Sequence, residues 1–137
     1  MKKLVWSDKF LFNNIKIDNQ HKEIFELINE IIELEKLSPG SEKFTEVLSK
    51  LTIYGKSHFK DEEALMHNLA YPYFQEHFEE HQDYIYCVAM FNVNFKDKNH
   101  THPEEVLSYV KNWWSNHIMK KDMDLKDFID ERKNNSV

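Results

Sequence analysis

The chain has 137 residues, 41% apolar and 31% charged, with a formal net charge of −6, which suits one packed core and leaves no basic stripe for nucleic acid. Two Gly and three Pro argue against a turn-rich β fold, and no apolar run approaches the ~20 residues of a membrane span. A lone cysteine, Cys87, rules out an intramolecular disulfide and fits a reducing compartment. The opening MKKLVWSDKF has no apolar stretch behind its lysines, so no signal peptide is read and a cytoplasmic protein is expected.

Residues 1–17 read as an irregular arm that packs onto the domain (1–137 as a single unit) through Leu4, Val5, Trp6, Phe10 and Phe12. Asp18 is the expected N-cap of a first helix over 18–37, which ends at the SPG stretch 38–40. Its seam runs Ile17, His21, Ile24, Ile28, Ile31. Ser41 caps a second helix over 41–66 with the seam Phe44, Leu48, Leu51, Gly55, His58, Glu62, Leu65. A third helix over 72–95 carries Phe74, His77, His81, Tyr84, Val88, Phe91 and Phe95. After the polar loop KDKNHTH, Pro103 opens a fourth helix over 103–121 with the seam Val106, Val110, Trp113, His117, and residues 130–137 are expected to fray. Every seam alternates spacings of three and four. The predicted fold is all-α, an up-down-up-down four-helix bundle with an N-terminal arm.

Polar side chains interrupt these seams. His21, His58, Glu62, His77, His81 and His117 sit where the apolar rhythm demands core, and each would cost several kcal/mol if buried unpaired. They must satisfy one another or bind something, and imidazole with carboxylate suits iron, manganese or zinc. Residues four apart differ by about 40° around a helix, so His58 with Glu62, and His77 with His81, can reach one point. Asp122 is five residues past His117, about 140° away on an ideal helix, and joins the set only if the helix bulges or ends there. Five imidazoles and two carboxylates are too many for one octahedral ion but suit two ions bridged by both carboxylates.

The stretches VWSDKF, IDNQHKEIF, HFKDEEALM, HFEEHQDY and WWSNHIMKKD make the chain resemble the hemerythrin family, specifically its single-domain bacteriohemerythrins, over nearly its whole length. That resemblance implies a non-haem di-iron site binding dioxygen reversibly. His77, His81 and His117 would ligate one iron and His21 and His58 the other. Glu62 and Asp122 would bridge both, with an oxo or hydroxo group. The resemblance also restores Asp122 to the ligand set, and the iron with two histidines would keep an open position for dioxygen. Helical phase offers Phe25, Phe59, Trp113, Trp114 and Ile118 as walls of the oxygen pocket. The family usually has Trp-Leu where this chain has Trp113-Trp114, so Trp114 either narrows the pocket or swings outward.

Other residues have plainer readings. His67, His100 and His102 are expected to be solvated, and Asp61 and Glu63 exposed. Tyr84 is expected in the core with its hydroxyl satisfied, Gly55 to let helices approach, Trp6 to pack and Cys87 to be an inert core thiol. The expected function is dioxygen storage, transport or delivery in a microbe by a monomeric, non-enzymatic protein, leaving room for weak peroxidase or ferroxidase side activity. The alternatives are a sensor of oxygen, nitric oxide or redox state, or a di-iron peroxide and oxidative-stress protein. The Glu-x-x-His signature of ferritin-like di-iron enzymes is absent. Zinc storage fits poorly, because tetrahedral zinc does not use seven side chains.

Overall fold

The structure, a computed structural model, describes residues 1–96 and 102–135, with side chains for all of these except 92–96. Among the described residues the chain forms α1 (Ile15–Leu37), α2 (Glu42–Asn68), α3 (Phe74–Lys96), α4 (Pro103–His117) and α5 (Met123–Asn135). A 3-10 turn at Asp8–Phe10 precedes them, and a π-helical segment, Ile118–Asp122, joins α4 to α5 without a break. α1 packs on α2, α2 on α3, α3 on α4 and α4 back on α1, which closes the expected up-down-up-down four-helix bundle. The loop residues 97–101 with His100, the side chain of Phe95, and residues 136–137 lie outside the described residues.

Local chemistry sets the ends of these helices. Ser41 caps α2 as expected, its hydroxyl accepting from the Phe44 amide at 3.1 Å. Pro103 stands at the first turn of α4. The cap of α1 differs from the sequence reading: Asn14, not Asp18, accepts from the Ile17 amide. Asp18 is instead buried inside the first turn, where its carboxylate accepts from the amides of Phe12 at 2.7 Å and Asn13 at 3.1 Å. It clamps the arm to the bundle, and Asn13 takes the left-handed conformation that this bend needs (φ 67°). The fourth column also differs, running helically past residue 121 to Asn135.

The arm docks at two further places. Asn29 exchanges two hydrogen bonds with the backbone of Leu4, at 2.7 and 2.9 Å. Trp6, Phe10 and Phe25 stack edge-on or tilted, with ring centroids 5.0–5.5 Å apart. Phe25, expected in the oxygen pocket, thus packs on the arm. Cys87 is only half-buried and not a core thiol.

The apolar interior is in two parts. A large cluster holds Ile24, Ile28, Ile31, Leu48, Leu51, Val88, Val106 and Val110, among others. A small one holds Phe12, Ile17, Met66, Tyr71 and Leu125. In each helical column the polar seam residues fall between the two, so a buried polar layer is sandwiched between oily ends. Above it Gly55 faces Trp114: a Cβ at Gly55 would stand 3.0 Å from Cζ2 of that indole, which is fully buried. The glycine makes room for one ring from the fourth column, diagonally across the bundle.

Gly55→Ala should therefore destabilise the protein by about 1–3 kcal/mol through overpacking, despite the ~1 kcal/mol that alanine gains in a helix. Combined with Trp114→Leu it should become neutral or stabilising, as urea unfolding of the single and double variants would show.

Candidate metal centre

Seven polar side chains meet in the layer between the two apolar clusters. His21, His58, Glu62, His77, His81, His117 and Asp122 are all buried, none more than 1% exposed. α1 supplies one, α2 and α3 two each, and the fourth column the last two. Asp122 arrives by the bulge that the spacing required: the π segment starts just after His117 and ends on Asp122. The wider i→i+5 turn brings position 122 under position 117, and Asp122 Oδ1 sits 3.2 Å from His117 Nε2.

Each carboxylate divides its two oxygens between two groups of imidazoles. Glu62 Oε1 faces His77, in very close contact, with His81 at 3.4 Å and His117 at 3.7 Å. Glu62 Oε2 faces His58 at 3.1 Å and His21 at 4.0 Å. Asp122 repeats the division, Oδ1 lying 3.2 Å from both His77 and His117 and Oδ2 lying 3.1 Å from His21. Within the larger group, Nε2 of His117 stands 3.1 Å from Nε2 of both His77 and His81; in the smaller, His21 and His58 face each other at 3.2 Å.

None of the four carboxylate oxygens has a hydrogen bond of good geometry, although all are buried. Buried carboxylates left this way are costly, and imidazole nitrogens pointed at each other cannot all be donors. Such a donor set fits cations. Two overlapping groups are close enough to hold one: Glu62, His77, His81 and His117, and His21, His58, Glu62 and Asp122.

Electrostatics in the cluster are strongly shifted. Burial opposes ionisation of Glu62, yet its contacts with His117, His58, His77 and His81 outweigh that and hold its carboxyl well below the usual range. Asp122 is also held low: the His117 and His21 imidazoles overcome burial and the Glu62 charge. Burial disfavours protonated His77 and His117, but the two carboxylates push His77 up to about 9 and His117 well above its ordinary value. His58 goes the other way, lowered chiefly by burial.

An outer set of residues holds the rings. His58 Nδ1 pairs with Gln20 Oε1 at 2.7 Å, and Gln20 donates in turn to Asp61 at 2.7 Å. His81 Nδ1 pairs with Glu63 at 2.7 Å, and His117 Nδ1 with Glu80 at 2.8 Å. The sequence reading placed Asp61 and Glu63 as exposed and passed over Gln20 and Glu80. The structure corrects this: the Glu63 side chain is 18% exposed and that of Asp61 34%, and both are committed to the cluster's support. Gln20 adjoins His21, Glu63 adjoins Glu62, and Glu80 adjoins His81. Each is the neighbour of one cluster residue and grips another on the next column, α1 to α2, α2 to α3, α3 to α4. That adjacency was the available signal.

Aromatic rings line the cluster unevenly. Phe59 stacks on His81 at 3.9 Å and Trp113 on His117 at 4.5 Å, both nearly parallel. Ile118 is fully buried beside them in sequence. Trp114 turns inward, its ring 6.0 Å from that of His58, and its Nε1 donates to the Tyr84 hydroxyl at 2.9 Å. Tyr84 is thus a core residue with its hydroxyl satisfied. His67 and His102 are exposed as expected.

The chain is similar to known proteins over almost all its length. Residues 15–129 match the family described as Hemerythrin HHE cation binding domain. A bacteriohemerythrin of Clostridium acetobutylicum is 31% identical over 130 residues, covering 92% of this chain and 98% of that protein. One from Pseudomonas aeruginosa is 32% identical over 131 residues, covering 94% and 83%. The crystal structure of wild-type hemerythrin superposes with a TM-score of 0.81 at 27% identity, covering 88% of this chain and 93% of that one. A leucine-to-tyrosine hemerythrin mutant superposes with a TM-score of 0.81 at 29% identity, covering 89% and 93%.

Two outcomes follow from the electrostatics and the outer contacts. At pH 7 the metal-free protein should carry protons on His77 and His117, so metal uptake in weak buffer should release about two protons to an indicator dye. The His77 share of that release should fade as the pH rises through about 9, above which that imidazole is already neutral. Glu63→Ala or Glu80→Ala should weaken metal affinity by about 10–100-fold in chelator competition, whereas Glu79→Ala, on the exposed face, should not change it.

Proposed function

The chain belongs to the hemerythrin family, and on that premise we propose that its buried cluster holds two iron ions and binds dioxygen reversibly. The observation that carries this reading is the division of both carboxylates between three imidazoles on one side and two on the other. His77, His81 and His117 would hold one ion and His21 and His58 the other, with Glu62 and Asp122 offering an oxygen to each side. Two ferrous ions bound there would supply the electrons on which reversible dioxygen binding depends. The chain's own residues set the conditions. Two imidazoles rather than three leave the His21/His58 side with fewer protein donors, so that side receives the gas. Phe59 and Trp113 press on the opposite imidazoles and keep water from them. Glu63 and Glu80 fix His81 and His117 in one tautomer, with Nδ1 donating and Nε2 free for the ion. Among the described residues no helix is long and apolar enough to cross a membrane.

Storage or delivery of dioxygen is the first physiological reading. Trp114 supports a second, a redox or gas sensor. Its indole is buried beside His58 and wedged against Gly55 on the side assigned to the gas, which crowds that position.

The test is a visible spectrum of the anaerobically reduced, iron-loaded protein before dioxygen, after it and after its removal, with iron assayed at two per chain. A charge-transfer band that appears and then vanishes supports the carrier. A lasting ferric spectrum without that band refutes reversible binding and favours the sensor reading, and Trp114→Leu should then restore the transient band.

A further inference from the structure

α5 carries Asp124, Asp127 and Glu131 at spacings of three and four, which places them on one helical face. That face lies opposite the start of α3, where Glu76 precedes His77 in the chain. Between them is a cleft of about 430 Å³ lined by all four carboxylates, with Lys121 as its cation and Tyr71 among its aromatic walls. Burial, and after it Asp124 with its acidic neighbours, pushes the Tyr71 hydroxyl up to about 12, as expected where negative charge is concentrated.

The inner wall of the cleft is His77. This residue is 1% exposed, and its Nε2 faces Glu62 and Asp122. Its Nδ1 is buried and has no hydrogen-bond partner. His58, His81 and His117 are each anchored through Nδ1 by an outer residue. His77 is not, nor is His21; of these two only His77 lines the cleft, so its second nitrogen is available there to an incoming ion or that ion's water. The acidic cleft and the unanchored histidine share a boundary with the metal cluster.

We propose that this cleft is the loading site of the centre, where carboxylates of α5 and Glu76 capture a hydrated divalent cation and pass it inward beside His77. Hard oxygen donors exchange such a cation readily, while the imidazole-rich cluster behind holds it more firmly. A cluster of like charge in a cleft raises the local cation concentration and hence the rate of uptake, without altering the final complex. The inference rests on the cluster holding metal.

The experiment is stopped-flow uptake of cobalt(II) by the full metal-free chain at low ionic strength, followed by the visible d–d absorption of the bound ion. The triple variant Asp124→Asn, Asp127→Asn, Glu131→Gln should load about tenfold more slowly, yet reach the same spectrum and stoichiometry. A control triple at the other end of the bundle, Glu30→Gln, Glu33→Gln, Glu46→Gln, changes net charge equally and should load at nearly the original rate. Salt should erase the difference. Lys121→Gln should speed loading, which provides a readout even if the triple variant folds poorly. Unchanged rates in the cleft variants, or equal slowing in the control, would overturn the proposal. A chain that never takes up cobalt would refute the metal-centre reading itself.

Discussion

Two carboxylates buried in the middle of a helical bundle constrain everything around them. Glu62 and Asp122 are fully buried, and no backbone amide or hydroxyl reaches them. Only cationic or metal-bound partners can balance them at that depth. Five imidazoles converge from four helical columns to do so, and the apolar clusters above and below seal the layer. The arm, clamped by Asp18 and Asn29, covers the side where Phe25 meets Trp6. The architecture reads as a means of keeping one polar layer dry.

The outer contacts give that layer its rigidity. Because Gln20, Glu63 and Glu80 each reach from one column to the next, an imidazole cannot turn without disturbing a neighbouring helix. This links the orientation of the donors to the packing of the bundle. His21 and His77 have no such anchor, and His77 is also where the cluster borders the acidic cleft.

Most of this was legible in the sequence because buried helices keep a strict rhythm. The seams of the four helices named many of their core residues and six of the seven cluster residues. Asp122 was not legible from periodicity, since a π segment has no signature in hydrophobic spacing and five residues place a side chain on the wrong face of an ordinary helix. Resemblance supplied it, and the backbone gives the physical reason. The partners Asp61, Glu63, Gln20 and Glu80 escaped because they lie off the seams, where polar residues usually mean solvent. Asp18 misled for a related reason: a residue well suited to cap a helix is equally suited to hold two amides of an incoming strand of chain. Trp114 could be placed on a helix face but not in a rotamer; the space opened by Gly55 on another helix decided that it points inward.

The π segment also alters the register of the fourth column. Before it the buried positions run 106, 110, 114 and 117; after it they continue at 122 and 125, with Ile129 partly buried, rather than one place earlier. The extra residue works as a phase shift in the helical repeat, like a stutter in a coiled coil. Were residues 118–122 wound as ordinary α-helix, Asp122 would stand about 140° from His117, and the α5 positions after it would come round about 100° out of phase. Leu125 would leave the apolar end of the bundle, and the acidic face would turn away from α3. One residue of length thus sets which side of the molecule the C-terminal helix presents.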